Sequence, residues 1–343
     1  MKPGLFVALL LMLSCPAMAF EPLDKFLPVL PANLNEAPVV FTYTAPHSLQ
    51  MSETGKTALI GTTDQGLNAA FYDAATAKTA TGIDFDLVYG VLTAGDPPQN
   101  VTVLLGEDRF AADAPTVLTA HGYTTSEIAG LPVLSVGEDY APSSERVGDP
   151  LGSGVGKAVR LAIGDGFLLR VAATEGIAYV AAAMNTPDAC VSCKFWKALL
   201  DALNTASGPT SSLDAATGFT PPAFFQPSDS GAAPSELPQY GLVILAATST
   251  DTSSTAHVAV IFPSVSDART GAKMISDRLL QQPLPANVQP STPRIAITPG
   301  PGGNIAVISI DFPADGAQDG VDTYLNWLNQ IYGRSFPPLA LAN

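Results

Sequence analysis

Residues 240–247 (YGLVILAA) and 257–262 (HVAVIF) are the two short apolar runs that decide the fold class. Both have the length of strands, and Val and Ile are frequent in them, as is usual in sheets. Residues 266–281 follow, and their apolar side chains recur at helical spacing at Ala268, Ala272, Ile275 and Leu279. Two strands followed by an amphipathic helix predict an α+β fold, in which the helix packs on an antiparallel sheet.

The rest of the C-terminal region repeats this order. Residues 294–298 and 304–312 flank a glycine-rich turn, and a final helix is expected from about Asp319 to Gly333. The region 239–343 therefore reads β-β-α-β-β-α. The region 20–204 loosely repeats that order, so we predict two related modules, each an antiparallel sheet with helices on one face.

Two segments of the first half complete this prediction. Residues 159–183 indicate a three-stranded meander, with turns at 164–166 and 174–176. Residues 205–238 hold five prolines between Pro209 and Pro234, and we interpret them as a linker between the modules.

Residues 1–19 have the pattern of a cleavable secretory signal. Lys2 is followed by an apolar run, 5–13, and by the small-residue cleavage pattern Ala17-Met18-Ala19. We expect a mature chain that begins at Phe20 and is periplasmic or secreted, with lipidation at Cys15 as the alternative. No transmembrane segment is expected in the mature chain, because charged residues interrupt its most apolar stretch, 159–184.

The charge of the chain restricts its partners. The net charge is −15 for the full chain, and loss of Lys2 with the leader makes it −16. Such a charge opposes binding to nucleic acid, so we expect an envelope protein or a small ligand as the partner. No pattern in the sequence calls for a cofactor.

Cys190-Val191-Ser192-Cys193 is the strongest local pattern. It is expected at the start of a helix after a strand, and with Lys194 it resembles the redox site of thioredoxin-like oxidoreductases. That resemblance implies a redox pair with Cys190 as the nucleophile. The chain departs from the family at Ala189, where an aromatic residue is usual, and it offers no downstream proline loop. In an oxidising compartment a structural disulfide is favoured, and a redox pair or a metal site remain alternatives.

Other patterns are incomplete. Residues 152–157 resemble a phosphate-binding loop, but Leu151 and Ala158 stand where that motif needs glycine and a hydroxyl residue, so a plain loop is expected. Four aspartates have part of the spacing of a calcium-binding loop: Asp311, Asp315, Asp319 and Asp322. Three histidines are isolated in the sequence: His47, His121 and His257. We therefore expect an exported, non-enzymatic binding or assembly protein. The alternative is a thiol–disulfide oxidoreductase acting through Cys190 and Cys193.

Overall fold

A computed structural model of the chain describes residues 20, 23, 26, 27, 39–50, 65–95, 100–149, 151–152, 156–185, 191–220, 237–282, 291–313, 318–333 and 336–340. The leader 1–19 lies outside this set, as do residues 221–236 of the predicted linker. The strands are β1 (Val39–Thr44), β2 (Val88–Ala94), β3 (Val101–Gly106), β4 (Thr124–Ile128), β5 (Leu131–Val136), β6 (Val159–Gly164), β7 (Phe167–Val171), β8 (Ser212–Phe219), β9 (Val243–Ser249), β10 (Ser254–Phe262), β11 (Arg294–Gly300) and β12 (Gly303–Phe312). The helices are α1 (Pro46–Gln50), α2 (Gln65–Tyr72), α3 (Ala74–Thr81), α4 (Ala114–Ala120), α5 (Thr174–Asn185), α6 (Val191–Ser207), α7 (Val265–Leu279) and α8 (Asp319–Tyr332).

These strands form one antiparallel sheet, in the order β11-β12-β10-β9-β8-β1-β2-β3-β7-β6-β5-β4. The mixed α+β class and the antiparallel sheet agree with the prediction from sequence. The division into two separate sheets is wrong, because β8 pairs with β1 on one side and with β9 on the other. The strands of both halves are therefore hydrogen-bonded into one continuous sheet.

Strand β8 lies inside the segment predicted as a linker, and that prediction is wrong for residues 212–219. A close contact with β1 requires a small residue on this strand. A Cβ atom added to Gly218 would lie 2.3 Å from Cε1 of Phe41, so the ring on β1 occupies the space of a side chain on β8. The polar and small composition that suggested a linker is thus part of the centre of the sheet.

Helices cover both faces of this sheet. The first face carries α2, α3, α4, α7 and α8, and the second face carries α5, α6 and the side chains of Phe20, Leu23, Phe26 and Leu27. Successive residues of β10 alternate between the two cores, with Val258 in the first and Ala259 in the second. The expectation of helices on one face therefore does not hold for the first half of the chain.

Helix α6 explains why the two halves do not form separate modules. It belongs to the first half by sequence, but it packs on β10, β11 and β12 of the second half. Trp196, Leu199 and Leu203 form its inner face and are fully buried. Burial of this face places residues from both halves of the chain in the second-face core.

The predicted meander at 159–183 is wrong in its last third. Strands β6 and β7 and the turn between them are present, but residues 174–185 form helix α5. Ile177, Val180 and Ala181 are its buried residues, at helical rather than strand spacing. Asp139 accepts hydrogen bonds from the backbone N and the Oγ1 of Thr174, which satisfies a free amide at the helix start. Among the described residues, no helix has the length and apolarity needed to cross a membrane.

Candidate functional site

The cysteine pattern lies at the start of α6, on the second face. Cys190 lies outside the described residues. Cys193 is 8% exposed and packs in the second-face core, with its Sγ atom 3.1 Å from the carbonyl oxygen of Leu27. The second cysteine of the pattern is therefore a core residue.

The three histidines lie far apart in the fold. His47 follows β1 and has its Nε2 atom 3.2 Å from the carbonyl oxygen of Asp86, and His121 is exposed just after α4. His257 is fully buried on β10, where its ring nitrogens face the hydroxyls of Ser207, Thr248 and Ser309. A buried imidazole among hydroxyls, out of reach of solvent, has the features of a structural polar cluster.

The calcium-loop spacing does not assemble a site among the described residues. Both carboxylate oxygens of Asp311 are bound by the guanidinium of Arg294, at 2.6 and 2.8 Å, and Oδ1 also accepts from Thr255. Asp319 and Asp322 lie in the first turn of α8, and Asp315 is outside the described residues. Within the described part of the chain, no three side chains of metal-binding type come together.

The glycine-rich stretch 152–157 leads into a strand, not into the helix that a phosphate-binding loop requires. Lys157 donates its backbone N–H to the carbonyl of Gly152 at 2.7 Å, which closes a turn. Gly156 has φ +62, and an added Cβ atom would lie 2.1 Å from the carbonyl oxygen of Ser143. The stretch is therefore the closing part of a longer loop, 137–158, between β5 and β6.

Buried arginines hold this loop from both faces of the sheet. Arg160 on β6 is 6% exposed; its guanidinium donates to the carbonyls of Val136 and Gly137, and it forms an ion pair with Asp139 at 2.6 Å. Arg170, on β7 and pointing to the opposite face, donates from Nε to the carbonyl of Leu151 at 2.8 Å. Charged donors on backbone carbonyls are strong hydrogen bonds, so both ends of the loop are fixed to the sheet.

Arg146 fixes the middle of the same loop. It lies on a 3₁₀ turn, Ser144–Arg146, and its Nη2 atom donates to the carbonyls of Ala141 and Gly156. The guanidinium packs against Gly137, where an added Cβ atom would be 2.5 Å from Cζ. Gly137 has φ +77, a conformation that also favours glycine.

The fixed loop encloses a cleft of about 290 Å³ on the first face, together with α3, α4 and the adjoining ends of β4 and β5. The residues that line it are Ala80, Leu118, His121, Tyr123, Val136, Glu145, Arg146, Gly148 and Asp149. Ala80, Leu118 and Val136 supply apolar surface from α3, α4 and β5, and the loop supplies the polar side chains of Glu145, Arg146 and Asp149. We take this cleft as the candidate functional site.

The inner polar groups of the cleft are bound to one another. The hydroxyl of Tyr123 donates to Oδ2 of Asp149 at 2.7 Å, and Oδ1 of Asp149 accepts the backbone N–H of Leu151 at 2.8 Å. Burial and the Asp149 carboxylate raise the pKa of Tyr123, against the opposing effect of Arg170 and Arg146. The phenol therefore stays protonated and acts as a donor.

His121 and Glu145 are the exposed polar residues at the mouth of the cleft. From the sequence, His121 was noted only as an isolated histidine. The other polar residues of the cleft were not predicted: Tyr123, Glu145, Arg146 and Asp149. One signal was available: Arg160 and Arg170 are charged residues inside two otherwise apolar strands. Buried arginines of this kind need carbonyl or carboxylate partners, and these partners are in the loop that forms the cleft.

No protein-family model and no curated protein matches the chain. Solved structures of a protein named TP0453 are similar in part. Its crystal form III is 9% identical, with 87% of this chain and 97% of that chain covered and a TM-score of 0.37. Crystal form I is also 9% identical, with 87% and 96% covered and a TM-score of 0.39. At this level the comparison carries no argument about function.

Proposed function

We propose that the chain is an exported, non-enzymatic protein that binds a small ligand in the cleft under loop 137–158. The observation that carries this proposal is the attachment of the loop by Arg146, Arg160 and Arg170. Connections of this length are uncommon in compact domains unless they serve function. A loop held to the sheet by Arg160 and Arg170, and bound within itself by Arg146, gives the cleft a wall that exists before a ligand binds, and such pre-organisation lowers the cost of binding.

The polar groups of the cleft fit a binding role. Tyr123 and Asp149 satisfy each other, and Arg146 donates to backbone carbonyls of its own loop. This leaves His121 and Glu145 at the mouth, and the Nε atom of Arg146, which is buried with no hydrogen-bond partner among the described residues. Ala80, Leu118 and Val136 supply apolar surface beside them. A few polar groups beside apolar surface are typical of small-molecule sites.

A cleft-filling variant tests the site. Ala80 lines the cleft from α3, whereas Ala75 is exposed on the same helix and is absent from the lining. A ligand found by screening should raise the melting temperature of the wild type and of Ala75→Phe, but not that of Ala80→Phe. Equal ligand stabilisation of both variants would exclude the cleft as the binding site.

Export is proposed from the leader pattern at 1–19. Phe20, Leu23, Phe26 and Leu27, just after this leader, are buried. A mature chain that begins at Phe20 keeps every one of these core residues. The test is the mass and N-terminal sequence of the chain recovered from the bacterial periplasm or culture medium. Phe20 at the N-terminus is the expected result, and a lipid-modified Cys15 would instead support membrane attachment.

We also propose that Cys190 and Cys193 form a structural disulfide at the start of α6. The proposed export supports this, because neighbouring thiols form structural disulfides in an oxidising compartment, and Cys193 packs in the second-face core. Thiol-blocking mass spectrometry should find both cysteines oxidised, and Cys190→Ser should cost about 2 kcal/mol, the value for a very short closed loop. Catalytic reduction of insulin by the purified chain would favour the oxidoreductase alternative instead.

Assembly is a second candidate, carried by strand β4 at one end of the sheet. Its five residues are exposed or half-exposed, and among the described strands it pairs only with β5. Antiparallel pairing with β4 of a second copy, centred on Ser126, would place Glu127 opposite Thr125, which avoids facing like charges. Light scattering should then show a dimer for the wild type and Ser126→Thr, and a monomer for Ser126→Lys. A monomeric wild type at high concentration would exclude this assembly.

A further inference from the structure

We propose that a monovalent metal cation, sodium or potassium, binds the carboxylate of Asp214 where the start of β8 meets the last residues of β1 and β9. This site is separate from the cleft under loop 137–158, and the inference does not rest on the proposed ligand binding there. It follows from two buried oxygen atoms that have no hydrogen-bond partner among the described residues, and from the other oxygen atoms around them.

Asp214 is a buried acid without a positive partner. It is 1% exposed, and Oγ of Ser249 donates to its Oδ1 atom at 3.0 Å, with a further hydrogen bond from Ser48. Its Oδ2 atom is buried and has no hydrogen-bond partner in the described part of the chain. No lysine, arginine or histidine among the described residues forms an ion pair with it. A buried charge of this kind is costly unless an opposite charge lies beside it.

The hydroxyl of Thr44, on the neighbouring strand β1, is the second such oxygen. Thr44 is 1% exposed, and its Oγ1 atom makes no hydrogen bond to any described residue. It stands directly opposite Ala215 of β8, which lies in the first-face core. Tyr43, the residue before it, lies in the second-face core, so the side chain of Thr44 points to the first face.

A β-bulge brings the carboxylate to the same face as this threonine. The pairing of β8 with β9 shifts register between Leu213 and Ala215, so Asp214 is the extra residue of β8. Its hydrogen-bond donor Ser249 is two residues after Ala247, which lies in the first-face core. The two unpaired oxygen atoms therefore face the same side of the sheet from adjacent strands.

The oxygen atoms at this point suit a monovalent cation. They belong to one carboxylate and to the hydroxyl groups of Thr44, Ser48 and Ser249, and hard cations bind oxygen ligands. One carboxylate balances one positive charge, whereas calcium sites use several, and within the described residues no three side chains of metal-binding type come together. Ser48 and Ser249 are half-buried, so an ion can enter from solvent, and the net charge of −15 attracts cations.

Unfolding of the mature chain in three salts tests the site. Urea titrations at about pH 7.5 compare sodium, potassium and choline chloride at one concentration, at which all three screen exposed charges alike. The bound metal ion should lower the unfolding equilibrium constant about tenfold at about ten times its Kd, and choline, which is too large for a buried oxygen site, should not. Equal stability in all three salts would overturn the proposal, because a proton or a water molecule would then satisfy Oδ2.

Four variants locate the effect. Asp214→Asn should remove the difference between the salts, whereas Asp201→Asn, at an exposed position on α6, should keep it. In choline chloride, where the carboxylate lacks a countercharge, Asp214→Asn should be more stable than the wild type. Thr44→Val removes a hydroxyl that makes no hydrogen bond to the described residues, so the chain should fold and respond less to the metal salts. Thr93→Val is its control, because it removes another such hydroxyl from β2, which does not pair with β8, and should leave the response unchanged. A response that survives in Asp214→Asn, or that is equal in the two threonine variants, would exclude this site.

Discussion

The Nδ1 atom of His257 lies 2.9 Å from Oγ of Ser309, and the two residues stand directly opposite each other in the pairing of β10 with β12. On the other side of the ring, Nε2 is 2.9 Å from Oγ1 of Thr248 and 3.3 Å from Oγ of Ser207. The imidazole thus connects three neighbouring strands to the C-terminal end of α6. Burial, and to a smaller extent Arg294, lowers its pKa to about 3, against the opposing effect of Asp311.

We expect acid to destabilise the fold through His257. The folded state keeps the imidazole neutral down to about pH 3, whereas the unfolded chain takes up a proton near pH 6.5. The unfolded state therefore binds more protons between these values, and stability falls as the pH is lowered, on the order of 1.4 kcal/mol per pH unit. Urea unfolding at a series of pH values measures this slope.

His257→Asn separates this effect from general acid destabilisation. The variant should be less stable at neutral pH, because the hydroxyl partners lose hydrogen bonds, but its stability should fall less steeply below about pH 6. His121→Asn, at the exposed mouth of the cleft, is the control and should keep the wild-type slope. An unchanged slope in His257→Asn would show that other groups set the acid response.

Asp214 on β8 should give the opposite pH dependence to His257, a loss of stability as the pH rises. Burial raises its pKa to about 6, while hydrogen bonds from Ser48 and Ser249 act in the lowering direction. The folded state therefore holds a proton that the unfolded chain has lost, and this contribution to stability disappears as the pH rises from about 4 to about 6. Above that range the ionised carboxylate is a cost to the fold.

Asp214→Asn should raise the free energy of unfolding at about pH 7.5, by on the order of 2 kcal/mol, and should have little effect near pH 4. Asp201→Asn removes only an exposed pair with Lys197 and should change stability by less than about 0.5 kcal/mol at either pH. A variant destabilised equally at both pH values would mean that Asp214 is held as a needed hydrogen-bond acceptor instead.

Sequence reasoning reached the elements whose burial follows a clear period. The inner face of α7 was predicted because Ala268, Ala272, Ile275 and Leu279 recur at helical spacing, and all four are buried. It failed at β8, where Gly218 makes room for Phe41, a contact that spans the whole first half of the chain. The cleft was missed for the same reason, since Arg160 and Arg170 bind loop carbonyls that no sequence spacing brings beside them.

Arg160 offers a direct test of how the loop is held. Arg160→Met removes the ion pair with Asp139, which is part-exposed and keeps its bonds from Thr174, and leaves the carbonyls of Val136 and Gly137 without this donor. We expect a loss of about 1–3 kcal/mol in unfolding free energy. Arg160→Lys keeps the charge but not the planar fork, so its loss should be smaller. Protease cleavage between residues 137 and 158 should speed up in Arg160→Met, measured by mass spectrometry.

An exposed ion pair on α7 is the control for the loss of unfolding free energy expected in Arg160→Met. Lys273 and Asp277 lie one turn apart on α7 and are both exposed, so Lys273→Met should cost no more than about 0.5 kcal/mol. If Arg160→Met were equally mild and its loop equally resistant to protease, the attachment of the loop would not depend on this arginine, and the pre-organised cleft would lose its main support.

The apolar residues after the predicted cleavage site should be part of the core and not a dispensable tail. Phe26 is buried, and its ring meets that of Phe167 on β7 edge to face at 5.5 Å. Phe26→Ala should lower the free energy of unfolding by about 3–5 kcal/mol, the usual cost of emptying a buried phenylalanine site. Leu280→Ala, at an exposed position after α7, should cost far less. Denaturant unfolding of both variants in the mature chain measures the difference. Equal stability of the two would mean that the chain after Phe20 does not pack on the second face, and a mature chain starting further downstream would then fold as well.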